Sequence, residues 1–225
     1  MRLDNRPRRV LVAGGTGLVG RALIAQLLAE GPAAVDAVHA LRRPAAAPRA
    51  LPSDPRLHWI EVDFACLAAL PPVDEVYITL GTTIRVAGSQ AAFRAVDFDA
   101  VVAVARAGRQ AGAERLGVVS ALGADPGSRL FYNRVKGEME AAVAALGYRS
   151  VTIAQPALIV GDRAALGQPE RPAEGWGVRL LRPVAGLIPR SVRPIAAEQV
   201  ARALREAVRH GVDGVQRLPS GRMLG

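Results

Sequence analysis

"VAGGTGLVGR", residues 12–21, decides the fold. It holds three glycines, Gly14, Gly17 and Gly20, each three residues from the next. Before it runs "RRVLVA", a short apolar stretch that reads as a buried strand. After it comes "LVGRALIAQLLAEG", with helical spacing of apolar residues and a Gly31–Pro32 stop. Strand, glycine turn and helix in this order form the setting in which such glycines take a dinucleotide. They permit a tight turn, close approach of backbone to a pyrophosphate, and close helix–strand packing. The helix start, with Thr16, Leu18 and Val19 around it, presents N–H groups and the positive end of the helix dipole to the phosphates. The bland alternative is an ordinary turn with packing glycines.

The rhythm repeats outward from this unit. "VDAVHAL", "LHWIEVDF", "DEVYITLG", "RLGVVSALG" and "SVTIAQPALIV" read as further strands. Between them lie a long helix, "SQAAFRAVDFDAVVAVARAGRQAG", capped by Ser89, and "SRLFYNRVKGEMEAAVAALG", with Gly147 at its C-terminal end. Alternating strands and helices predict an α/β fold, a doubly wound parallel sheet covered on both faces. This Rossmann-type core is expected over residues 1–160. Residues 161–225 change character: a loop rich in Gly, Pro and charge, short helical pieces, and the amphipathic "AAEQVARALREAVRHG". They are expected to form a small cap at the carboxyl edge of the sheet, the last helix packing on the core of what is a single domain overall.

The totals limit the function. In 225 residues there is one cysteine, Cys66, so no internal disulfide forms. The opening "MRLDNRPRRV" has no apolar stretch of the kind a signal peptide needs, and no apolar run reaches the ~18 residues of a membrane span. His39, His58 and His210 are scattered, so no metal is expected. The expectation is a cytoplasmic protein, monomer or homodimer, acting on a small molecule. The net charge of +9 is spread as arginine over the whole chain, with aromatics at only 4%, so neither a nucleic-acid nor a membrane partner is expected.

The second strand ends in "ALRRP". NAD sites place an acid there for the ribose diol, whereas NADP sites place an arginine for the 2′-phosphate. Arg42 and Arg43 therefore favour NADPH, although arginine fills many surface positions in this chain. Asp63 and Phe64, ending the third strand, are placed to meet the adenine, or Asp63 simply caps the strand end. Gly81 lets the backbone after the fourth strand approach the cofactor. Thr82 and Thr83 beside it either reach ribose or substrate or cap the turn.

"FYNRVKGEME", residues 131–140, contains Lys136, the only lysine beside 28 arginines. It follows Tyr132 by four residues, so the two share one helix face. Ser120 ends the fifth strand, at the same edge as the glycine loop. An ordinary tyrosine, with a pKa of about 10, is a poor acid–base group near neutrality, and an adjacent cation favours its ionised form. A serine hydroxyl nearby would hold a substrate oxygen as charge develops on it. Catalytic roles are therefore expected for Ser120, Tyr132 and Lys136. The competing reading is an exposed lysine beside a buried tyrosine.

Together, the glycine loop, Ser120, Tyr132-x-x-x-Lys136 and "QPALIVG" resemble the short-chain dehydrogenase/reductase superfamily in its extended and atypical branches. "LGTTIRVAGSQAAFRAVDFDAV", "SALGAD" and "YNRVKGEMEAAV" are more narrowly similar to the Tat-interacting-protein-like oxidoreductases. The resemblance implies a Rossmann fold, NADPH binding that also involves Tyr132 and Lys136, and Pro156 near the nicotinamide. One position departs from the pattern: many members carry an asparagine in the helix after the fourth strand, where this chain offers Asp97 or Asp99. The leading expectation is an NADPH-dependent oxidoreductase acting on a small carbonyl or hydroxyl compound. The second is a non-catalytic NADPH-binding regulator acting through a protein partner. Arg42 and the short tail weigh against a third, a sugar-nucleotide epimerase or dehydratase. Trp176 either lines the pocket or belongs to the core.

Overall fold

The computed structural model describes residues 6–44, 53–161, 189 and 192–224. Trp176 lies outside them. The glycine loop joins β1 (Arg8–Ala13) to α1 (Leu18–Ala29), as its punctuation demands. The chain continues through β2 (Val35–Arg42), β3 (Leu57–Glu61) and β4 (Glu75–Ile78). Two short helices follow, α2 (Ile84–Ala87) and α3 (Gln90–Arg94). A π-helical turn, Ala95–Ala100, leads into α4 (Val101–Gln110). Then come β5 (Arg115–Val119), α5 (Phe131–Ala144) and β6 (Ser150–Gln155). β7 (Ile159–Val160) pairs with β8 (Ile195–Ala196) in a small separate ribbon. The described chain closes with α6 (Ala197–His210), β9 (Gly214–Pro219) and α7 (Ser220–Met223).

Seven strands form one sheet in the order β3-β2-β1-β4-β5-β6-β9, every neighbouring pair parallel. The α/β expectation holds. Alternate residues of β1 divide between the faces: Val10 and Val12 pack with α1 and α6, while Leu11 and Ala13 pack with α4 and α5. The strand order reverses between β1 and β4, which opens a crevice at their carboxyl ends.

Two local readings are corrected, and one strand is added. β3 stops at Glu61 rather than running on to Phe64, because Asp63 starts a turn by accepting from the Ala65 N–H at 2.9 Å. The long helix keeps its Ser89 cap, whose hydroxyl accepts from Ala92 N–H at 3.0 Å, but it widens into the π turn halfway. β9 leaves no strand signal in the sequence because it is a half-exposed edge strand, bounded by Gly214 and Pro219, with no continuous apolar run.

Two charge clusters hold the opposite, amino-terminal edge of the sheet. Glu75 is buried and accepts from Arg8 at 2.9 Å, Arg115 at 3.2 Å and the Tyr77 hydroxyl at 3.0 Å. Burial first, and Glu75 second, push the Tyr77 phenol well above its ordinary range. Glu30, at the end of α1, binds Arg8 of β1 and Arg205 of α6. His39 and His58, distant in sequence, are register partners with stacked rings 5.4 Å apart. Burial, then the His58 ring, hold His39 below the usual histidine range.

The glycine loop is where the fold is tightest. A Cβ on Gly20 would stand 2.2 Å from the Gly14 carbonyl oxygen, while Gly14 itself has φ +90°. Gly17 differs: its φ is −85° and its nearest neighbour would be 3.4 Å away. Gly20→Ala must therefore displace α1 from β1. It should lower stability by about 1–3 kcal/mol, several degrees of melting temperature. Gly17→Ala should cost about 1 kcal/mol or less. Thermal melts of the two variants side by side check the distinction; equal melting temperatures would refute it.

Candidate functional site

The candidate site is built at the carboxyl edge from the ends of β1, β2, β4, β5 and β6. At β1 the loop folds on itself, the Gly17 N–H donating to the Gly14 carbonyl at 3.0 Å. Thr79, just past β4, places its hydroxyl 3.1 and 3.2 Å from the carbonyls of Ala13 and Gly14 and braces the loop from below. Sequence reasoning missed Thr79; its position directly before "LGTT" was the available signal. The first intrahelical bond of α1 runs from Arg21 N–H to Gly17 O at 3.0 Å. The N–H groups of Leu18, Val19 and Gly20 therefore have no helical partner. No acidic residue occupies that turn and no side chain caps it. Neither backbone angle nor packing requires glycine at position 17, so the cradle above it fits a ligand that approaches the bare backbone. These features suit a pyrophosphate.

Arg42 closes β2 and pairs with Glu61 at the end of β3, Nη2 to Oε1 2.6 Å. Arg43 is exposed beside it. Asp63 is exposed and caps its own turn, while Phe64 packs against the α4 face of the core. Thr83 caps α2, accepting from Val86 N–H at 3.2 Å.

The centre is set by the π turn. It carries Asp97, which is fully buried, while Asp99 is exposed. Asp97 Oδ1 lies 2.7 Å from Lys136 Nζ, and Oδ2 accepts from the Thr82 N–H at 2.8 Å. A Cβ on Gly81 would sit 3.5 Å from Asp97 Oδ1 and 3.9 Å from Lys136 Nζ. Gly81, Thr82, Asp97 and Lys136 thus meet at one point. Lys136 is only 3% exposed. The sequence offered Asp97 and Asp99 as equals; helical periodicity gave no sign that the wider turn buries the first.

Tyr132 lies in the first turn of α5, half-buried, its ring 5.4 Å from that of Phe93. α5 is seated by Gly137, where a Cβ would fall 2.2 Å from the backbone of Asp125 and Pro126. Asp125 N–H also donates to the Asn133 carbonyl at 3.0 Å. The helix therefore rests directly on the segment that follows β5. Gly137, unremarked in the sequence, fixes where Tyr132 and Lys136 stand. Ser120, just past β5, donates its N–H to the Ala154 carbonyl at 2.8 Å. Its hydroxyl is buried and without a hydrogen-bond partner. Pro156 is buried next to it, its carbonyl accepting from Leu122 N–H at 2.9 Å. A free buried hydroxyl, a phenol and a buried lysine are suited to holding an oxygen and moving a proton to or from it. Among the described residues, no cluster of His, Cys, Asp or Glu could hold a metal. No described helix is long and apolar enough to cross a membrane.

A profile described as NAD(P)H-binding matches residues 14–158. Protein FMP52, mitochondrial, from Coccidioides immitis is 33% identical over 167 residues, 68% of this chain and 66% of the relative. Protein fmp52, mitochondrial, from Aspergillus fumigatus is 33% identical over 208 residues, 90% of this chain and 86% of the relative. Among solved structures, MoeE5 in complex with UDP-glucuronic acid and NAD superposes with a TM-score of 0.70 at 22% identity, covering 95% of this chain and 76% of that one. That likeness concerns the fold. The relatives overturn the cytoplasmic expectation, since their names place them in mitochondria. Cysteine usage reports on the redox setting of a chain, and neither it nor net charge carries an address. The glycine cradle and the length of the matched segment lead to one assignment: the chain belongs to the NAD(P)H-binding family.

Proposed function

We propose that this protein is an NADPH-dependent oxidoreductase of the short-chain dehydrogenase/reductase type, acting on a small carbonyl or hydroxyl compound. One observation carries the catalytic part: the buried Ser120 hydroxyl without a partner, at the same sheet edge as the glycine cradle. An unsatisfied buried hydroxyl costs about 1–3 kcal/mol, so an oxygen that arrives with the substrate is its natural partner. When bound, the dinucleotide supplies or accepts the hydride.

The chain's own groups do the rest. Gly14, Thr16, Gly17, Leu18, Val19 and Gly20 hold the pyrophosphate. Arg42 and Arg43 meet the 2′-phosphate, and Asp63 and Phe64 flank the adenine. Gly81 and Thr82 line the ribose side, and Pro156 borders the nicotinamide. Ser120 donates to the substrate oxygen and Tyr132 exchanges the proton with it. Lys136 stands one turn along the same face, available to the ribose, with Asp97 as its counter-ion. The narrower kinship with Tat-interacting-protein-like oxidoreductases is supported by the same residues.

The Asp97–Lys136 pair also supports a second reading. With its charge already met by Asp97, Lys136 acts less strongly on Tyr132 than an unpaired lysine would. A dinucleotide-binding regulator without turnover would keep the cradle and tolerate this. Turnover separates the two. Tyr132→Phe should fold normally and bind NADPH nearly as wild type, yet lose turnover about a hundredfold or more, as expected on removing a general acid. The substrate would first be sought among aldehydes, ketones and quinones. Wild-type turnover by the variant would remove Tyr132 from the mechanism.

The buried pair makes its own prediction. Asp97→Asn keeps the shape and the acceptor for Thr82 but leaves Lys136 as an uncompensated buried cation. Stability should fall by about 3–5 kcal/mol, roughly 10 °C in melting temperature. Adding Lys136→Met should recover most of that loss. If Asp97→Asn melts within about 2 °C of wild type, the pair does not hold the site together.

A further inference from the structure

The Arg42–Glu61 contact bears on which dinucleotide this site prefers. The two residues are register partners at the tips of β2 and β3. Two residues earlier stand Ala40 and Trp59, also partners, on the α1 side of the sheet. The Trp59 ring comes within 3.3 Å of where a Gly15 Cβ would be, so this face adjoins the glycine loop. Side chains two apart on a strand share a face, so Arg42 and Glu61 point to that side.

The contact is one-sided. Glu61 reaches Arg42 Nη2 with one oxygen at 2.6 Å, while Arg42 Nε is buried and has no hydrogen-bond partner. Nε and Nη2 form one edge of the guanidinium, the edge that grips phosphate or carboxylate with two parallel bonds. Glu61 uses half of it. The Glu61 side chain is 51% exposed against 23% for Arg42, so the carboxylate can swing into water while the arginine stays.

We infer that Glu61 is a specificity-determining residue: it competes with the dinucleotide 2′-phosphate for the Nε/Nη2 edge of Arg42. The inference rests on the dinucleotide reading of this edge. A phosphorylated dinucleotide displaces Glu61 and satisfies Nε as well as Nη2. An unphosphorylated one leaves the pair intact and meets the Glu61 carboxylate with its ribose hydroxyls. Arg42 thus favours the phosphorylated form, and Glu61 limits the margin. Exchanging a half-exposed ion pair for a bidentate phosphate contact is favourable, because such pairs contribute little to stability.

The test is a titration of NADPH and NADH by fluorescence and calorimetry. The proteins are wild type, Glu61→Gln, Arg42→Ala and the double variant, with melts run in parallel. Wild type should favour NADPH. Glu61→Gln should bind NADPH about three- to fivefold tighter, bind NADH no better, and melt within a few degrees of wild type. In the Arg42→Ala background, Glu61→Gln should give NADPH no such gain, since the contested group is gone. An unchanged NADPH:NADH ratio in Glu61→Gln, or the same gain without Arg42, would overturn the role of Glu61 and leave the dinucleotide site standing. If wild type bound neither dinucleotide, the site reading itself would fail and take this inference with it.

Discussion

The contact between Gly20 and the Gly14 carbonyl is the constraint on which the site's geometry depends. A methyl group there would meet the carbonyl oxygen at 2.2 Å, so α1 lies as close to the end of β1 as backbone allows. That approach aims the unpartnered N–H groups of the first turn at the crevice where the sheet reverses order. Thr79 holds the same carbonyls from β4 and ties the two strands across the reversal. Within this loop the glycines do different work. Gly14 supplies a positive φ, Gly20 supplies contact with backbone, and Gly17 leaves the backbone bare at the helix start.

A second close approach seats the other half of the site. Gly137 lays α5 directly on the backbone of Asp125 and Pro126, so the face bearing Tyr132 and Lys136 cannot slide relative to β5. The buried Asp97–Lys136 pair then joins α5 to the π turn, and Asp97 extends the link to the backbone after β4. Two charges removed from water in this way are stable only together, and either alone would destabilise the fold. The only lysine of the chain is therefore a structural cation as well as a candidate site residue. Its compact ammonium fits beneath Gly81, where a planar guanidinium would need more room.

Both edges of the sheet bury polar groups. At the amino edge, Glu75 and Glu30 gather arginines from β1, β5 and α6, while Arg205 Nε and Ser150 Oγ stay buried without a partner. At the carboxyl edge, Ser120 Oγ and Arg42 Nε are buried and left without partners. Polar groups unsatisfied inside a protein are costly, and here both lie at the edge where open α/β sheets bind ligands.

The fold class was legible in the sequence because its signals are local. Apolar runs, helical spacing and glycine punctuation report on a few neighbouring residues at a time. The spacing of Tyr132 and Lys136 placed them on one helix face for the same reason. Tertiary structure alone decided what those residues touch. Asp97 became the partner of Lys136 through a π turn that leaves no periodic mark in "AVDFDAV". Arg42 met Glu61 through the register of two strands that a long connection separates. β9 joined the sheet only because β6 offered it an edge, its own sequence being too exposed to show a strand pattern. Pairings between distant segments depend on how whole elements pack, and local chemistry does not encode that.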